Sequence, residues 1–251
     1  LKDEARVTLN DVMVCITAGA MRRLALFNES NHLFTNSVTT IDKKSNSANN
    51  DFAHPIFTSQ LAKYEKNPKG ASGNDIVCRG LLPIAFPRPR DDLCTPDRAM
   101  SNQFTFLSMP FHINIIDPIE RLNAIKETTT NLKVSPEAIV SYAVTNLGTL
   151  CLPQTIAQNT AAQLFSRHSM VFSNVPGPQG VVLYRQPDGI VHEKRHRLMG
   201  FQMVYPNLIT QCGILSLNNC IFMNFTVDCV EVINAHLLGK FVIEELKALA
   251  V

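Results

Sequence analysis

Met170-Val171-Phe172-Ser173-Asn174-Val175-Pro176-Gly177-Pro178 is an apolar run that stops in a Pro-Gly-Pro corner, and Gly180-Val181-Val182-Leu183 resumes beyond it. Two prolines fix φ, and Gly177 is free to take φ > 0, so the stretch reads as a strand leaving its sheet through a rigid bend. Asn174 places a side-chain amide beside a backbone that is not expected to complete a ladder. The bend is then either a structural corner or one wall of a site, and Ser173 and Asn174 are the polar groups it would offer.

The chain around this stretch has 251 residues, enough for one large domain or two small ones and for burying roughly 70–75% of its unfolded surface. Hydrophobic residues make up 45% and charged residues 18%, with a mean hydropathy of +0.04, which excludes disorder of the whole. A net charge of +2 and a pI near 8.2 lack the concentrated basic stripe that nucleic acid requires, and that class is excluded. The longest apolar run, Val12 to Met21, is interrupted by Thr17 and Gly19 and falls short of the roughly 18–20 residues of a membrane-spanning helix. Any attachment to the endoplasmic reticulum or another membrane is then expected to be peripheral. The beginning, Leu1-Lys2-Asp3-Glu4, has neither an initiator Met nor a signal-peptide pattern, and reads as an internal piece of something longer. Cysteines at 15, 78, 94, 151, 212, 220 and 229 make no CxxC or Cys/His ligand spacing and read as reduced thiols in a cytoplasmic protein.

Taken in order, Val7 to Phe27 carries apolar residues at helical spacing, with Thr8 as N-cap and Asp11 three places on. Val14, Ala18 and Met21 make its other side apolar too, so this helix is expected to be buried almost all round. Asn10 and Asp11 stand at its mouth, and capping is the structural role open to them. Residues 28–75 turn to Asn, Ser, Thr and Lys without periodicity and read as a flexible insertion. Ile76 to Phe86 is apolar, with Pro83 pointing to an edge or irregular strand, and Gln103 to Ile115 reads as a further strand. Asp117-Pro118-Ile119-Glu120 is a helix start whose apolar face runs through Ile119, Leu122 and Ile125. Ser135-Pro136-Glu137 opens a helix ending at Gly148, and Pro153 to Phe165 reads as another; both are expected to cover a sheet. Leu198 to Tyr205 reads as a strand. Asn218-Asn219, between Ile209 to Leu217 and Cys220 to Val227, marks a tight type I′ hairpin that sets 217 opposite 220 and 212 opposite 225. Glu231 onward closes the chain with a helix presenting Ile233, Leu237, Leu238, Phe241, Ile243 and Leu246.

Several chemistries are absent: no G-x-S-x-G elbow, Walker A loop, G-x-G-x-x-G turn or H-E-x-x-H pair occurs. His112 stands alone on a strand-like run and reads as structural, and Cys15 reads as a small hydrophobe. No metal site is expected.

Four stretches carry a resemblance. Val7-Thr8-Leu9-Asn10-Asp11-Val12, continuing into Ala18-Gly19-Ala20-Met21-Arg22-Arg23-Leu24, is similar to the "TvNDv…aGALRryL" helix of the wax ester synthase/diacylglycerol acyltransferase family. Asn102-Gln103 to Pro110, with Asp117 to Leu122, resembles its "GN…LP…dPxerL" segment, and Ser173 to Pro178 matches its SNVPGP motif in full. Ser216-Leu217-Asn218-Asn219, with Phe225 to Asp228, resembles its "SYNG…D" hairpin. Departures are Leu217 for Tyr, Asn219 for Gly and Ser101 for Gly. Asn tolerates φ > 0 nearly as Gly does, so the turn chemistry survives.

The resemblance implies a chloramphenicol acetyltransferase-like fold, an α/β (α+β) sandwich of which this chain is the C-terminal half, with a mixed sheet covered by helices. It implies acyl transfer from acyl-CoA, a co-substrate rather than a cofactor, to a fatty alcohol or diacylglycerol, giving wax ester or triacylglycerol. The family's His-His-x-x-x-Asp-Gly signature, which supplies the general base, is absent here. The expected partner is therefore the missing N-terminal half-domain, and this chain alone is expected to be inactive. No residue of this chain is then expected to be catalytic. Asn10, Asp11, Ser173 and Asn174 are the candidates for lining the substrate channel, and Pro176, Gly177 and Pro178 for shaping it. The competing reading is a non-catalytic half-fold that binds or scaffolds.

Overall fold

Thr8 and Asp11 close a capping box in the computed structural model, which describes residues 7–35, 78–86, 103–151, 153–177, 183–184, 196–197, 209–227 and 234–250. The N–H of Thr8 donates to Asp11 Oδ2 (2.7 Å) and the N–H of Asp11 to Thr8 Oγ1 (3.3 Å). Helix α1, Leu9–Thr35, starts here and runs past the expected end at Phe27. Every residue from Asp11 to Ala20 is buried, as its apolar circumference requires. Thr17, the polar residue in the middle, satisfies itself by donating to the Met13 carbonyl (2.7 Å). The rest of the expected insertion lies outside the described residues.

Five strands make one mixed sheet in the order β2-β1-β3-β6-β7: β1 Arg79–Ala85, β2 Phe104–Pro110, β3 Met170–Pro176, β6 Gln211–Leu217 and β7 Cys220–Thr226. The outer pairs β1·β2 and β6·β7 are antiparallel, and β1·β3 and β3·β6 are parallel. Among the described residues, two further strands, β4 Leu183–Tyr184 and β5 His196–Arg197, pair with each other. The expected strand Leu198 to Tyr205 lies outside the described residues.

Pro83 shows how the sheet tolerates a proline away from its edge. The Phe86 N–H donates to the Gln103 carbonyl (3.0 Å), which sets the parity of the β1·β2 ladder. Pro83, opposite Phe106, therefore falls at a non-hydrogen-bonded position and turns its nitrogen away from β2. On that side β3 pairs only with Gly80 and Leu81, so no ladder bond is lost.

The Asn218-Asn219 turn has φ of 50° and 60°, the left-handed pair of a type I′ turn, and Leu217 opposes Cys220 as Cys212 opposes Phe225. Among the described cysteines, Cys15, Cys78, Cys212 and Cys220 are free thiols. Burial pushes Cys78 up to about 11 and Cys212 up to about 12.

Helix α2, Pro118–Val134, begins where Asp117 Oδ1 accepts the N–H groups of Ile119 and Glu120, both at 2.8 Å. Its buried face is Arg121, Leu122, Ile125 and Thr129, whereas Ile119 is exposed. Helices α3, Glu137–Cys151, and α4, Gln154–Ser166, follow; α3 continues through Gly148. A 3₁₀ turn, Ala235–Leu237, leads into α5, Leu238–Leu249, which buries Leu238, Phe241, Glu245 and Leu249 and leaves Ile243 and Leu246 exposed. The main core joins α1, α2 and α5 to one face of the sheet through Val12, Ile16, Leu122, Ile125, Phe172 and Leu249.

Glu245 departs furthest from the apolar pattern, and its partners explain it. Its carboxylate, 4% exposed, pairs with Arg121 Nη2 of α2 and with Arg23 Nε of α1 (2.5 Å). Arg121 Nη1 also donates to the Ile115 carbonyl (2.9 Å). Gly19 leaves the room: a Cβ there would lie 2.0 Å from Glu245 Oε2 and 2.6 Å from Arg121 Nη2. Glu245→Ala, which strands the buried guanidinium, is expected to cost about 3–5 kcal/mol of unfolding free energy in urea titrations. Gly19→Ala is expected to lower the same midpoint by forcing the pair apart.

Candidate functional site

The N-terminus of α1 meets the C-terminal end of β3. Residues alternate across a strand, so Phe172, in the core against α1, puts Asn174 on the helix-facing side and Ser173 on the opposite side. Asn174 Nδ2 donates to Asn10 Oδ1. Asn10 is exposed and Asn174 half-buried, so this amide pair is a polar seam open to solvent. Among the described residues, it leaves the Asn10 amide donors and the Asn174 carbonyl oxygen for a further polar group.

Asp11 is differently placed. Both its oxygens are engaged within the fold, Oδ2 by the Thr8 N–H and Oδ1 by the Thr129 hydroxyl of α2 (2.7 Å). It is 2% exposed and acts as a joint between α1 and α2. The four candidate residues thus divide: Asn10 and Asn174 form the seam, Asp11 anchors it from beneath, and Ser173 lies across the sheet.

The strand that carries Asn174 stays level with β6, but the Asn174 N–H and C=O face the other way. Val171 and Gly177 donate toward β6, so the alternate residues turn toward β1, which is paired with β3 at Met170 and Val171 alone among the described residues. Parallel pairing with β6 runs from Val171 opposite Gln211 to Pro176 opposite Ser216, with Asn174 opposite Ile214. The corner begins one residue after Pro176. The Gly177 N–H donates to the Ser216 carbonyl (2.7 Å), and a Cβ on Gly177 would come within 2.2 Å of that oxygen. Glycine is required here by close backbone approach, since Gly177 does not adopt positive φ. Pro178 lies outside the described residues.

Two histidines are held in place elsewhere in the fold. His112 follows β2 in a left-handed conformation (φ 46°), with Nε2 2.9 Å from the Thr128 hydroxyl. It stands in a turn and not on a strand. His168 was not distinguished by any sequence pattern. Its Nδ1–H donates to the Leu164 carbonyl (2.7 Å), and Nε2 accepts from the Ser108 hydroxyl (2.8 Å). Burial lowers the pKa of both rings; for His168 the Leu164 bond opposes the shift and the Arg79 and Arg167 charges add to it. With both ring nitrogens occupied, His168 is a structural tie. Among the described residues no group of three His, Cys, Asp or Glu side chains is arranged to hold a metal.

Residues 100–250, from β2 through the Ser173 to Pro178 stretch and the hairpin to α5, match the WS/DGAT C-terminal domain. The chain belongs to that family. A WS/DGAT structure also shares the fold: the wax ester synthase/diacylglycerol acyltransferase from Marinobacter aquaeolei VT8 is 15% identical with a TM-score of 0.50, over 99% of this chain and 44% of that one. This chain therefore spans less than half the length of that WS/DGAT. The shared fold is chloramphenicol acetyltransferase-like, an α+β arrangement with a mixed sheet under helices. No curated protein sequence matches the chain significantly.

The division of labour in this WS/DGAT domain is measurable. Thr129→Val leaves a buried carboxylate oxygen unpaired and is expected to cost about 1–3 kcal/mol in chemical denaturation, whereas Asn174→Ala, at an open seam, is expected to cost about 1 kcal/mol or less. The pH dependence follows from His168: its folded pKa lies below the ordinary 6.5, so the unfolded chain takes up the proton first. Its contribution to stability is therefore complete above 6.5 and is lost as pH falls through and below that value. His168→Asn is expected to flatten the slope of denaturation midpoint against pH in this window.

Proposed function

We propose that this chain is the C-terminal portion of a long-chain O-acyltransferase, moving an acyl group from acyl-CoA to the hydroxyl of a fatty alcohol or diacylglycerol. Membership of the WS/DGAT C-terminal domain family is the observation that carries the reading. Thioester-to-ester transfer needs a base to take the hydroxyl proton, donors for the developing oxyanion and an apolar groove that excludes water. Asn10 suits the second task, since its amide donors stand at a helix N-terminus, which favours negative charge, and Asn174 orients that amide by donating to its carbonyl oxygen.

The base is assigned to an N-terminal half-domain bearing His-His-x-x-x-Asp-Gly, the partner in this reading. Two described histidines fit that assignment, because His112 and His168 already bond to Thr128, Leu164 and Ser108, while His236 stands exposed on the 3₁₀ turn before α5. Binding acyl-CoA and a lipid alcohol then falls to the two halves together, and the work of this half is to shape and line the channel.

The purified chain is to be assayed with radiolabelled palmitoyl-CoA and either hexadecanol or dioleoylglycerol, alone and with a separately expressed half-domain carrying the histidine motif. No ester above the protein-free control is expected alone, and wax ester or triacylglycerol is expected with the second half. Ester from the chain alone would place a base within it and refute the division of labour. Failure of the pair, with both parts folded and associated, would instead favour the non-catalytic binding reading.

A further inference from the structure

From Ala138 to Ser166 the sequence has no Asp, Glu, Lys, Arg or His, and this uncharged stretch is the pair α3 and α4. Among the described residues, the two helices meet the sheet near their far ends, with the ring of Tyr142 of α3 also 4.6 Å from that of Phe86 after β1. Ser141 of α3 meets Thr105 Oγ1 (2.8 Å) and donates to the Phe106 carbonyl (3.3 Å), on the free edge of β2. Phe165, near the end of α4, stacks edge-on against Phe106 with centroids 5.5 Å apart. Both ends lie at one strand, so the helices run out and back as a hairpin, and Ser141 to Cys151 carries it about 15 Å beyond its base.

Its surface is apolar and uncovered. Val144 is 64% exposed and Leu147 63%, with Ile139, Val140, Ile156 and Leu164 also exposed. Cations ring the base: Lys133 at the end of α2, Arg167 after α4, and Arg79, whose Nη1 donates to Ser108 beside His168. All three are exposed, and Glu137 is the single acidic residue in the flanking turns.

We propose that the α3–α4 hairpin docks on a lipid surface carrying anionic headgroups, its apolar residues entering the interface while Lys133, Arg167 and Arg79 face the phosphates. The occupant is a lipid surface because an uncharged projection with a cationic base has the charge layout of an interfacial helix pair. The exposed Gln and Thr side chains of α4 are uncharged and remain hydrated at headgroup depth. Among the described residues no helix is long and apolar enough to cross a membrane, so the hairpin lies in the interface and does not span it. Docking of this kind is independent of turnover, so an inactive chain tests it equally well.

The test is co-sedimentation of the whole chain with vesicles of equal parts phosphatidylcholine and phosphatidylglycerol, and with phosphatidylcholine alone. The parent chain is expected to bind, more tightly to the anionic vesicles. Val144→Glu with Leu147→Glu is expected to weaken binding about tenfold or more, and Lys133→Glu with Arg167→Glu to remove the preference for anionic lipid. Ile139→Ser with Val140→Ser is a milder second pair, and circular dichroism confirms that each variant is folded. Parent-like binding by the glutamate pair overturns the proposal. So does failure of the parent to bind, with either a dimer that the glutamate pair dissolves or capture of the hairpin by the N-terminal half-domain identifying the true occupant.

Discussion

The buried carboxylate of Glu245 ties three helices of this protein together. Glu245 on α5 joins Arg121 of α2 and Arg23 of α1, three elements far apart in sequence. A carboxylate this deep is tolerable only when its oxygens are paired, and Arg121, itself 1% exposed, depends on it in return. The geometry leaves no room for a side chain at Gly19, so the helices approach to a distance that one methyl group would forbid. Because α1 is fixed at its middle, its N-terminal end, where Asp11 locks onto Thr129, has little freedom relative to α2.

The sheet supplies the opposing constraint. Parallel pairing of β3 with β6 brings Pro176 level with Ser216, and the Gly177 contact with the Ser216 carbonyl ends the strand at a fixed depth. Asn174 is therefore carried on a strand held by β6, not on a loose corner. The seam it makes with Asn10 is set from two sides, by a capped helix and by a laddered strand, as a site that must hold its donors still requires.

Much of this was written locally in the sequence. Thr8 with Asp11, Asp117 before Pro118, and Asn218-Asn219 are short-range devices whose chemistry needs no tertiary context, and each appears as its pattern implies. The all-round apolar character of α1 likewise reads directly as burial. What sequence did not disclose depends on partners across the fold. Glu245 looks like a solvent-facing residue until two arginines converge on it, and their presence rotates α5 so that Ile243 and Leu246 face outward. The end of β3 was hidden because prolines suggest exit from a sheet, while Val175 and Pro176 remain on the parallel ladder. For the candidate site, strand alternation alone would have separated Ser173 from Asn174. The engagement of Asp11 by Thr129 required knowing that α2 passes over α1.

The burial of α1 also sets a timetable for synthesis. Ala20 and Leu24 of this helix are covered by Leu238 and Phe241, and Phe27 lies 6.2 Å, ring to ring, from Phe241. Those covers lie more than 200 residues further along the chain. At roughly 5–20 residues per second, an apolar helix waits on the order of 10–40 seconds on the nascent chain before its cover arrives. The Asn218-Asn219 hairpin, by contrast, closes within about 10 microseconds of emerging. The apolar face of α1 needs shielding during that interval, and slowing translation lengthens the exposure rather than relieving it.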